Sequence, residues 1–244
     1  MSLGPLNIRI FRDAAKKLEA SGCASRRVLS FGYPDILCSP GSLEFLFGKE
    51  ALSKLAYRED SEAIRRWHSI QEGYPIADAA SLFAMMGFDL EVMDLVEARG
   101  GEIIQDLNVP VPESLHGQYA AVIDGGTLEH CFNIGQAAIN AAELAAQGGF
   151  VLHGNPVNMF NHGFYNLSPV WYQDFYAANG FDVEVAVLVN GRLDAPTIMD
   201  APRKKRFVGL PDNTVQIVVA RRKEVRALTW PTQGKYVDNP TLRG

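Results

Sequence analysis

The sequence has little of what stabilises small secreted proteins or anchors proteins in membranes. Its three cysteines, Cys23, Cys38 and Cys131, are an odd number without C-x-x-C spacing, so we expect neither a disulfide framework nor a structural zinc site. No run approaches the roughly 20 apolar residues of a membrane span. Residues 1–22 also lack the continuous apolar stretch of a secretory signal. We therefore expect a cytoplasmic protein with no membrane partner.

An excess of positive charge is also absent. The 23 lysines and arginines are outnumbered by 28 aspartates and glutamates, and the formal net charge is −5. Nucleic-acid binding depends on clustered basic side chains that neutralise phosphates, so we expect no nucleic-acid partner. Basic residues are concentrated only at 203–206, with 221–223 close by in sequence. Two interpretations stay open for them: a solvated loop, or a site for an anionic acceptor.

What the sequence does have is enough apolar residues for one large core. Hydrophobic residues make up 47% of the 244 positions, an ordinary share for a globular protein. A chain of this length can fold without disulfides or metals. It suits one α/β domain spanning residues 1–244 better than two domains of average size.

Hydrophobic patterns predict strands that alternate with helices. The predicted strands are residues 27–32, 90–94, 101–106, 119–124, 150–154, 183–189 and 215–220. The predicted helices are residues 5–21, 42–47, 51–70, 78–87, 134–146 and 168–179. Such alternation indicates a mostly parallel, doubly wound sheet with helices on both faces. The last two strands have no helix between them, so we expect them to pair antiparallel.

Three segments lie outside this alternation. Residues 1–26 contain an N-terminal helix, and residues 227–244 form an irregular tail. Residues 36–75 are longer than a usual strand-to-helix connection, so we interpret them as a helical insertion or lid. Leu55 and Trp67 are expected on the buried side of the helix in this insertion.

Three predicted strands end in an aspartate: Asp94, Asp106 and Asp124. A carboxylate at the tip of a buried strand stays charged only where hydrogen-bond donors meet it. A nucleoside offers such donors in its ribose hydroxyls and exocyclic amine. The alternative is that these aspartates cap the helices and turns that follow, where aspartate is favoured anyway. From the residues alone, both interpretations stay open.

A family resemblance is carried by residues 101–181. Residues 119–134, YAAVIDGGTLEHCFNI, are followed by a helix and then by GGFVLHGNPVN at 148–158. Two further segments belong to the pattern: GEIIQDLNVPVPESL at 101–115 and NHGFYNLSP at 161–169. Together, the four segments resemble class I S-adenosylmethionine-dependent methyltransferases, in particular a bacterial subgroup. The resemblance implies a Rossmann-like, mostly parallel seven-stranded sheet with an antiparallel last strand.

The same resemblance implies a set of cofactor-binding residues. Asp94 would accept hydrogen bonds from the ribose, and Asp106 with Leu107 would hold the adenine. Gly125 and Gly126, together with Asp124, would border the methionine end and the transferred methyl group. The full expected set is Phe31, Gly32, Asp94, Asp106, Leu107, Asp124, Gly125 and Gly126.

The resemblance implies methyl transfer, and the polar residues after the 150–154 strand favour an oxygen of a small or saccharide-like molecule as the acceptor. His130 and His162 are candidates to remove the acceptor's proton. His153, Asn155 and Tyr165 follow the 150–154 strand and are candidates to bind the acceptor. Some relatives bind magnesium through an acid three residues before the glutamate of a Glu-His pair. That position is Gly126 here, so we predict no metal.

Two other functions compete with this interpretation. The family's first glycine-rich turn is reduced to Gly32, flanked by Phe31, Tyr33 and Pro34. Bulky rings at this turn favour a non-catalytic binding or scaffold protein that keeps the fold. A nicotinamide-dependent dehydrogenase is disfavoured because no G-x-G-x-x-G follows the first long strand.

Overall fold

A computed structural model describes residues 1–201, 206 and 208–237 of the chain. The strands are β1 Ser2–Leu3, β2 Arg27–Phe31, β3 Asp35–Ile36, β4 Asp89–Asp94, β5 Ile103–Ile104, β6 Tyr119–Asp124, β7 Ala145–Pro156, β8 Phe181–Gly191, β9 Pro196–Asp200 and β10 Val215–Arg222. The α-helices are α1 Pro5–Ala15, α2 Pro40–Phe47, α3 Lys49–Leu52, α4 Ser61–Trp67, α5 Ala79–Met85, α6 Ile134–Leu144, α7 Pro169–Ala178 and α8 Gly234–Val237. Two 3-10 turns are Glu113–Leu115 and Leu128–His130.

One eight-stranded sheet organises the chain, in the order β5-β4-β2-β6-β7-β10-β8-β9. The pairs from β5 to β7 are parallel, and the pairs from β7 to β9 are antiparallel. This confirms the α/β Rossmann-like fold and the antiparallel placement of β10. The sheet has one strand more than expected, because β9 lies between the last two predicted strands, where the sequence predicted no element.

Helices cover both faces of the sheet, as expected for a doubly wound fold. Side chains alternate along β6: Ile123 belongs to one apolar core and Val122 to the other. The first core includes Phe11 of α1, which packs edge-on against Phe83 of α5 at a ring separation of 5.0 Å. The second includes the aromatic residues of α7, among them Tyr176.

In the helical insertion, the helix predicted over 42–47 is present as α2, whereas the long helix predicted over 51–70 is replaced by two short helices, α3 and α4. Ser39 caps α2 by accepting a hydrogen bond from the Ser42 amide at 3.2 Å. Leu55 is buried as expected, but Trp67 is 84% exposed, so the prediction of an inward-facing Trp67 is wrong. The helix periodicity failed here because α4 ends at Trp67 and the following residues turn away.

Other boundaries moved by a few residues. The predicted helix over 5–21 ends at Ala15, and residues 16–22 form turns. The predicted strand over 101–106 shrinks to β5, whereas the 150–154 strand extends to the twelve residues of β7. Asp78 caps α5 as predicted, accepting from the Ser81 amide at 2.9 Å. In the described part of the chain, no helix is long and apolar enough to cross a bilayer.

The strand order reverses direction at β2, which lies between β4 and β6. Connections leaving neighbouring strands therefore part toward opposite faces and open a crevice at the carboxyl ends of the strands. β2 ends at Phe31, β4 at Asp94 and β6 at Asp124. The crevice between these three ends is where the candidate site lies.

Candidate functional site at the carboxyl edge of the sheet

The turn after β2 brings backbone close to the carboxylate of Asp94. Gly32 has a φ of +81°, a conformation that residues with a side chain rarely adopt. Its amide donates to the Met93 carbonyl at 2.7 Å. A Cβ at Gly32 would lie 3.6 Å from Asp94 Oδ2, so this carboxylate oxygen borders the crevice. Gly32 and Asp94, both expected to bind cofactor, are therefore neighbours.

A methionine side chain occupies this crevice. The Met1 thioether accepts a hydrogen bond from the Gly125 amide at 3.1 Å, and Ser30 Oγ lies 3.8 Å from the same sulfur. The Met1 backbone is fixed by the Asp35 amide, which donates to the Met1 carbonyl at 3.1 Å. The space between Gly32 and Gly125 thus has the dimensions of a methionine side chain.

Neither ring expected to crowd the crevice lies in it. Phe31 is fully buried in the core on the α6–α7 face, so only its backbone reaches the crevice edge, where its carbonyl accepts from Thr127 Oγ1 at 2.9 Å. The Tyr33 hydroxyl donates to Asp78 at 2.5 Å, and the Arg99 guanidinium lies 4.1 Å from the centre of its ring. A side-chain contact from Phe31 to a cofactor is excluded by this burial.

Asp106 and Leu107 lie farther along the same edge, beyond β5. Asp106 is exposed, and its carboxylate accepts from the backbone amide and side-chain amide of Asn108 at 2.8 and 2.7 Å. The Leu107 side chain is buried, and its carbonyl accepts from Asn140 at 3.0 Å. The contacts of Asp106 are those of a turn, as the capping interpretation expected.

Asp124 is fully buried and serves the fold. Its Oδ1 accepts from the amides of Thr127 and Leu128 at 2.8 and 3.1 Å, and its Oδ2 lies 2.7 Å from His153 Nδ1. Burial raises the pKa of Asp124, but the hydrogen bonds that its carboxylate accepts, first from His153 and then from Asn155 and the Thr127 amide, lower it by more, so the pKa of Asp124 is below its ordinary value. The expected position of Asp124 along a bound methionine is corrected: its carboxylate points inward.

His153 and Asn155 are also buried, contrary to their expected contact with an acceptor. Because Asp124 only accepts, His153 Nδ1 donates to it, and His153 Nε2 then accepts from the Tyr176 hydroxyl at 2.6 Å. The Asn155 amide donates to Asp124 and to Glu129 at 2.8 and 2.9 Å, and its oxygen accepts from the Tyr172 hydroxyl. These side chains position carboxylates and expose no surface.

Tyr165 lies at the edge of this region. Its hydroxyl donates to the Phe132 carbonyl at 2.8 Å, and the side chain packs against the core on the α6–α7 face. Binding of an acceptor by Tyr165 therefore stays a prediction.

Glu129 is the charged centre that sequence reasoning missed. It is 1% exposed, and its carboxylate lies 3.6 Å from His162 Nε2. Burial and then the charge of Asp124 raise the pKa of Glu129 to about 7. The signal was its place beside His130, directly after the acidic end of β6. The two predicted catalytic residues do meet, with the His130 and His162 rings 5.2 Å apart.

A cavity of about 680 Å³ opens beside these residues. Met1, Gly125, Gly126 and the Glu129–His130–His162 cluster line one side of it. Trp67 and His68 of the insertion and the β8–β9 turn line the other. Desolvation and then His162 lower the pKa of His130, so its imidazole is neutral near pH 7. The insertion therefore forms a wall of the cavity, and its closure as a lid stays a prediction.

The basic residues of β10 are buried instead of solvated. Arg221 is 2% exposed and donates to Glu184 at 2.6 and 3.1 Å and to the Gly148 carbonyl at 2.9 Å. Arg222 is also buried. These contacts fasten β10 to its surroundings, so neither interpretation of this part of the basic run is correct. Residues 203–205 lie outside the described residues.

No protein-family model matches the chain, and no curated protein matches it. Among solved structures, the 1,6-didemethyltoxoflavin-N1-methyltransferase of Burkholderia thailandensis, bound to S-adenosylhomocysteine, is 12% identical, covers 87% of this chain and 78% of that one, and gives a TM-score of 0.43. A variant of the Catenulisporales acidiphilia 16S rRNA (adenine(1408)-N(1))-methyltransferase with S-adenosylmethionine is 15% identical, covers 89% and 94%, and gives 0.41. Both are methyltransferases.

Proposed function

We propose that this chain is an S-adenosylmethionine-dependent methyltransferase. The observation that supports it most is the seating of Met1, because the switch-point crevice already accommodates a methionine side chain with its sulfur on the Gly125 amide. S-adenosylhomocysteine, the demethylated form of the cofactor, carries the same thioether. Cofactor binding then requires Met1 to leave the crevice.

In this proposal, the residues around the crevice bind the rest of the cofactor. The bare backbone at Gly32 leaves room for a ligand beside Asp94, whose carboxylate is suited to ribose hydroxyls. Asp106 and the Leu107 backbone lie farther along the edge, where the adenine would be held. The acidic side chains of this edge favour a ligand whose sulfur carries a positive charge.

The bound cofactor supplies a methyl group on a positively charged sulfur. During transfer the sulfur–carbon bond breaks, a carbon–oxygen bond to the acceptor forms, and the acceptor loses a proton. His130 and His162 line the cavity beside Gly125, and a neutral imidazole at His130 can take that proton. The remaining task of the protein is to hold both reactants in line and exclude water.

We further propose an oxygen acceptor in a small or saccharide-like molecule. The cavity volume of about 680 Å³ lies within the range of small-molecule sites. Asn7, Asn190 and Asn213 are among its lining residues, and amide groups suit hydroxylated ligands. Transfer of labelled methyl groups to monosaccharides, compared with amines of similar size, tests this preference.

The non-catalytic scaffold remains the second candidate, and a specific contact favours it. Met1 is held in the crevice by the hydrogen bond from the Asp35 amide to its carbonyl as well as by its sulfur. If this segment stays in place, the crevice is closed to any ligand.

Calorimetric titration with S-adenosylhomocysteine separates the two candidates. The wild-type protein is expected to bind it, and Asp94→Asn is expected to weaken binding about 10-fold or more, the cost of one hydrogen bond to a charged group. Asp89→Asn is the matched control, because Asp89 is exposed at the opposite end of the same strand. Absence of both heat and thermal shift at millimolar ligand would overturn the enzymatic proposal and support the scaffold.

A further inference from the structure

A second feature of the cavity wall is a set of three metal-ligating side chains. One ligand atom from each of Glu129, His130 and His162 lies within 4.8 Å of the others. Glu129 and His130 belong to the 3-10 turn after β6, whereas His162 belongs to the loop after β7. Residues more than thirty positions apart in sequence therefore bring their donors to one point.

The backbone fixes this meeting. The Phe164 amide donates to the Glu129 carbonyl at 2.8 Å, which ties the loop to the turn. Gly163 permits the approach, because a Cβ there would lie 2.8 Å from the Glu129 carbonyl oxygen. Asn161 precedes His162 with a φ of +61°, a left-handed conformation that asparagine tolerates. The position of His162 is thus set by main-chain contacts as well as by its own side chain.

Glu129 is oriented by a buried neighbour and faces another negative charge. One carboxylate oxygen accepts from Asn155, and the other is directed at His162. Asn155 also donates to Asp124, so one amide joins two buried carboxylates. Among the described residues, His162 is the one ion-pair partner of Glu129. Asp124 already bonds to His153, and the positive amino terminus also interacts with Glu129. A cation bound at the Glu129 carboxylate would add to this charge compensation inside the protein.

We propose that Glu129, His130 and His162 bind one divalent transition-metal ion, with zinc as the preferred ion. Two imidazole nitrogens and one carboxylate oxygen suit zinc and its neighbours in the first transition row, whereas magnesium and calcium prefer oxygen ligands throughout. Asn155 is then the positioning residue that holds the carboxylate ligand.

The distances require only small movements. Two ligand atoms bound tetrahedrally to zinc at about 2 Å lie about 3.3 Å apart. The Glu129–His162 separation of 3.6 Å is already close to that value. His130 is exposed, so its ring can rotate toward the pair. The sequence predicted no metal because it offered only an adjacent pair of ligands, and the structure adds a third from a distant loop.

Three protein ligands leave the ion open toward the cavity that all three residues line. An open position of this kind is typical of metal ions that bind a substrate oxygen and lower its pKa. The ion would lower the pKa of the bound acceptor hydroxyl so that its proton is released to solvent in the open cavity, and His130 and His162 would then act as ligands instead of proton acceptors. Metal binding itself does not depend on the proposed methyl transfer.

The test uses the full chain, stripped with a chelator and titrated with zinc by calorimetry and with cobalt(II) by visible absorption. We expect one equivalent to bind and the cobalt spectrum to show nitrogen and oxygen ligands. His162→Ala is expected to weaken binding by at least about 10- to 100-fold. His116→Ala is the control, because His116 is paired with Glu143 outside the cluster and should bind zinc as the wild type does.

Two results would overturn the metal site: no stoichiometric uptake by the wild type, or equal affinity in the wild type and His162→Ala. His162 is 48% exposed, so its replacement is compatible with folding, which circular dichroism verifies. Asn155→Asp adds a readout of positioning, since it places a third carboxyl group beside Glu129 and should shift the cobalt spectrum. The zinc titration is done without S-adenosylmethionine, and Asp94→Asn should bind zinc as the wild type does. Loss of zinc binding and loss of S-adenosylhomocysteine binding are therefore separate results, one for each proposal.

Discussion

Asp94 and Asp124 end two strands of the same sheet, yet they have opposite surroundings. Asp124 is fully buried and accepts hydrogen bonds on both oxygens from backbone, His153 and Asn155. Asp94 is half-buried, and one oxygen accepts from the neighbouring Leu95 amide while the other faces the crevice.

The difference follows from position in the sheet. β6 lies between β2 and β7, and Asp124 pairs in register with His153 of the longer β7. β4 has the two-residue β5 as its outer neighbour, so less covers its carboxyl end. In this sheet, the strand-end aspartate near the centre is used up by hydrogen bonds within the protein, and the one nearer the edge stays accessible to a ligand.

Removal of the buried carboxylate should have the largest effect. Asp124→Ala leaves His153, Asn155 and two backbone amides without their acceptor, and we expect a loss of about 3–5 kcal/mol in the free energy of unfolding. Urea denaturation measures it, with Asp94→Ala as the matched control at below about 1 kcal/mol. Equal losses in the two variants would contradict the comparison.

Two neighbouring buried carboxylates should give opposite pH dependences. The pKa of Glu129 is raised to about 7 in the folded protein, so the folded state binds more protons than the unfolded state between about pH 4.5 and 7. Stability should therefore fall by about 2–3 kcal/mol over that window as the pH rises. The pKa of Asp124 is lowered, so its stabilisation is present at neutral pH and is lost below about pH 4.

Urea denaturation across this pH range, in chelator, measures both slopes. Glu129→Gln should remove the slope between pH 4.5 and 7 and leave the acid limb intact. An unchanged profile in that variant would show that Glu129 is not the titrating group.

A smaller effect is expected one step farther from Asp124. Tyr176→Phe removes the hydroxyl that donates to His153 Nε2 and leaves that buried nitrogen unpaired. We expect a loss of about 1–2 kcal/mol. Tyr165→Phe removes an equivalent hydroxyl at a less buried position and should cost less. The ranking fails if Tyr165→Phe is the more damaging of the two in thermal denaturation.

The smallest effect is expected at the outer end of the edge. Asp106→Ala should change the free energy of unfolding by less than about 0.5 kcal/mol, because Asp106 is exposed and bonds only within its own turn. If it binds adenine as proposed, the affinity for S-adenosylhomocysteine should nevertheless fall. A stable variant with unchanged affinity would restrict Asp106 to its turn.

The sequence was sufficient for most of the fold. The apolar run of Tyr119–Asp124 and the Asp78 cap each carried a local signal, and both elements have the predicted positions. β9 was missed because its five residues are half-exposed or exposed and begin with Pro196, so neither alternation nor a buried run marks it. Trp67 was misplaced because periodicity does not show where a short helix ends.

The candidate site was less predictable, because its key relations are non-local. The strand ends identified Asp94 and Asp124 from the sequence. Which of the two carboxylates is buried depends on the lengths of the neighbouring strands β5 and β7, which the sequence did not predict. His130 and His162 were identified singly as proton acceptors. Their meeting with Glu129 depends on the path of the loop after β7, and the Met1 contact with Gly125 depends on the parallel pairing of β1 with β3.

The close approach at Gly163 has a consequence for how this protein can diverge. A side chain at position 163 would clash with the Glu129 carbonyl and displace Phe164 and His162, although no ionisable residue is changed. Replacement of this one glycine therefore disrupts the cluster even when Glu129, His130 and His162 are all retained. A homologue with a larger residue at position 163 would need a different path of the loop after β7 to place the histidine beside the glutamate.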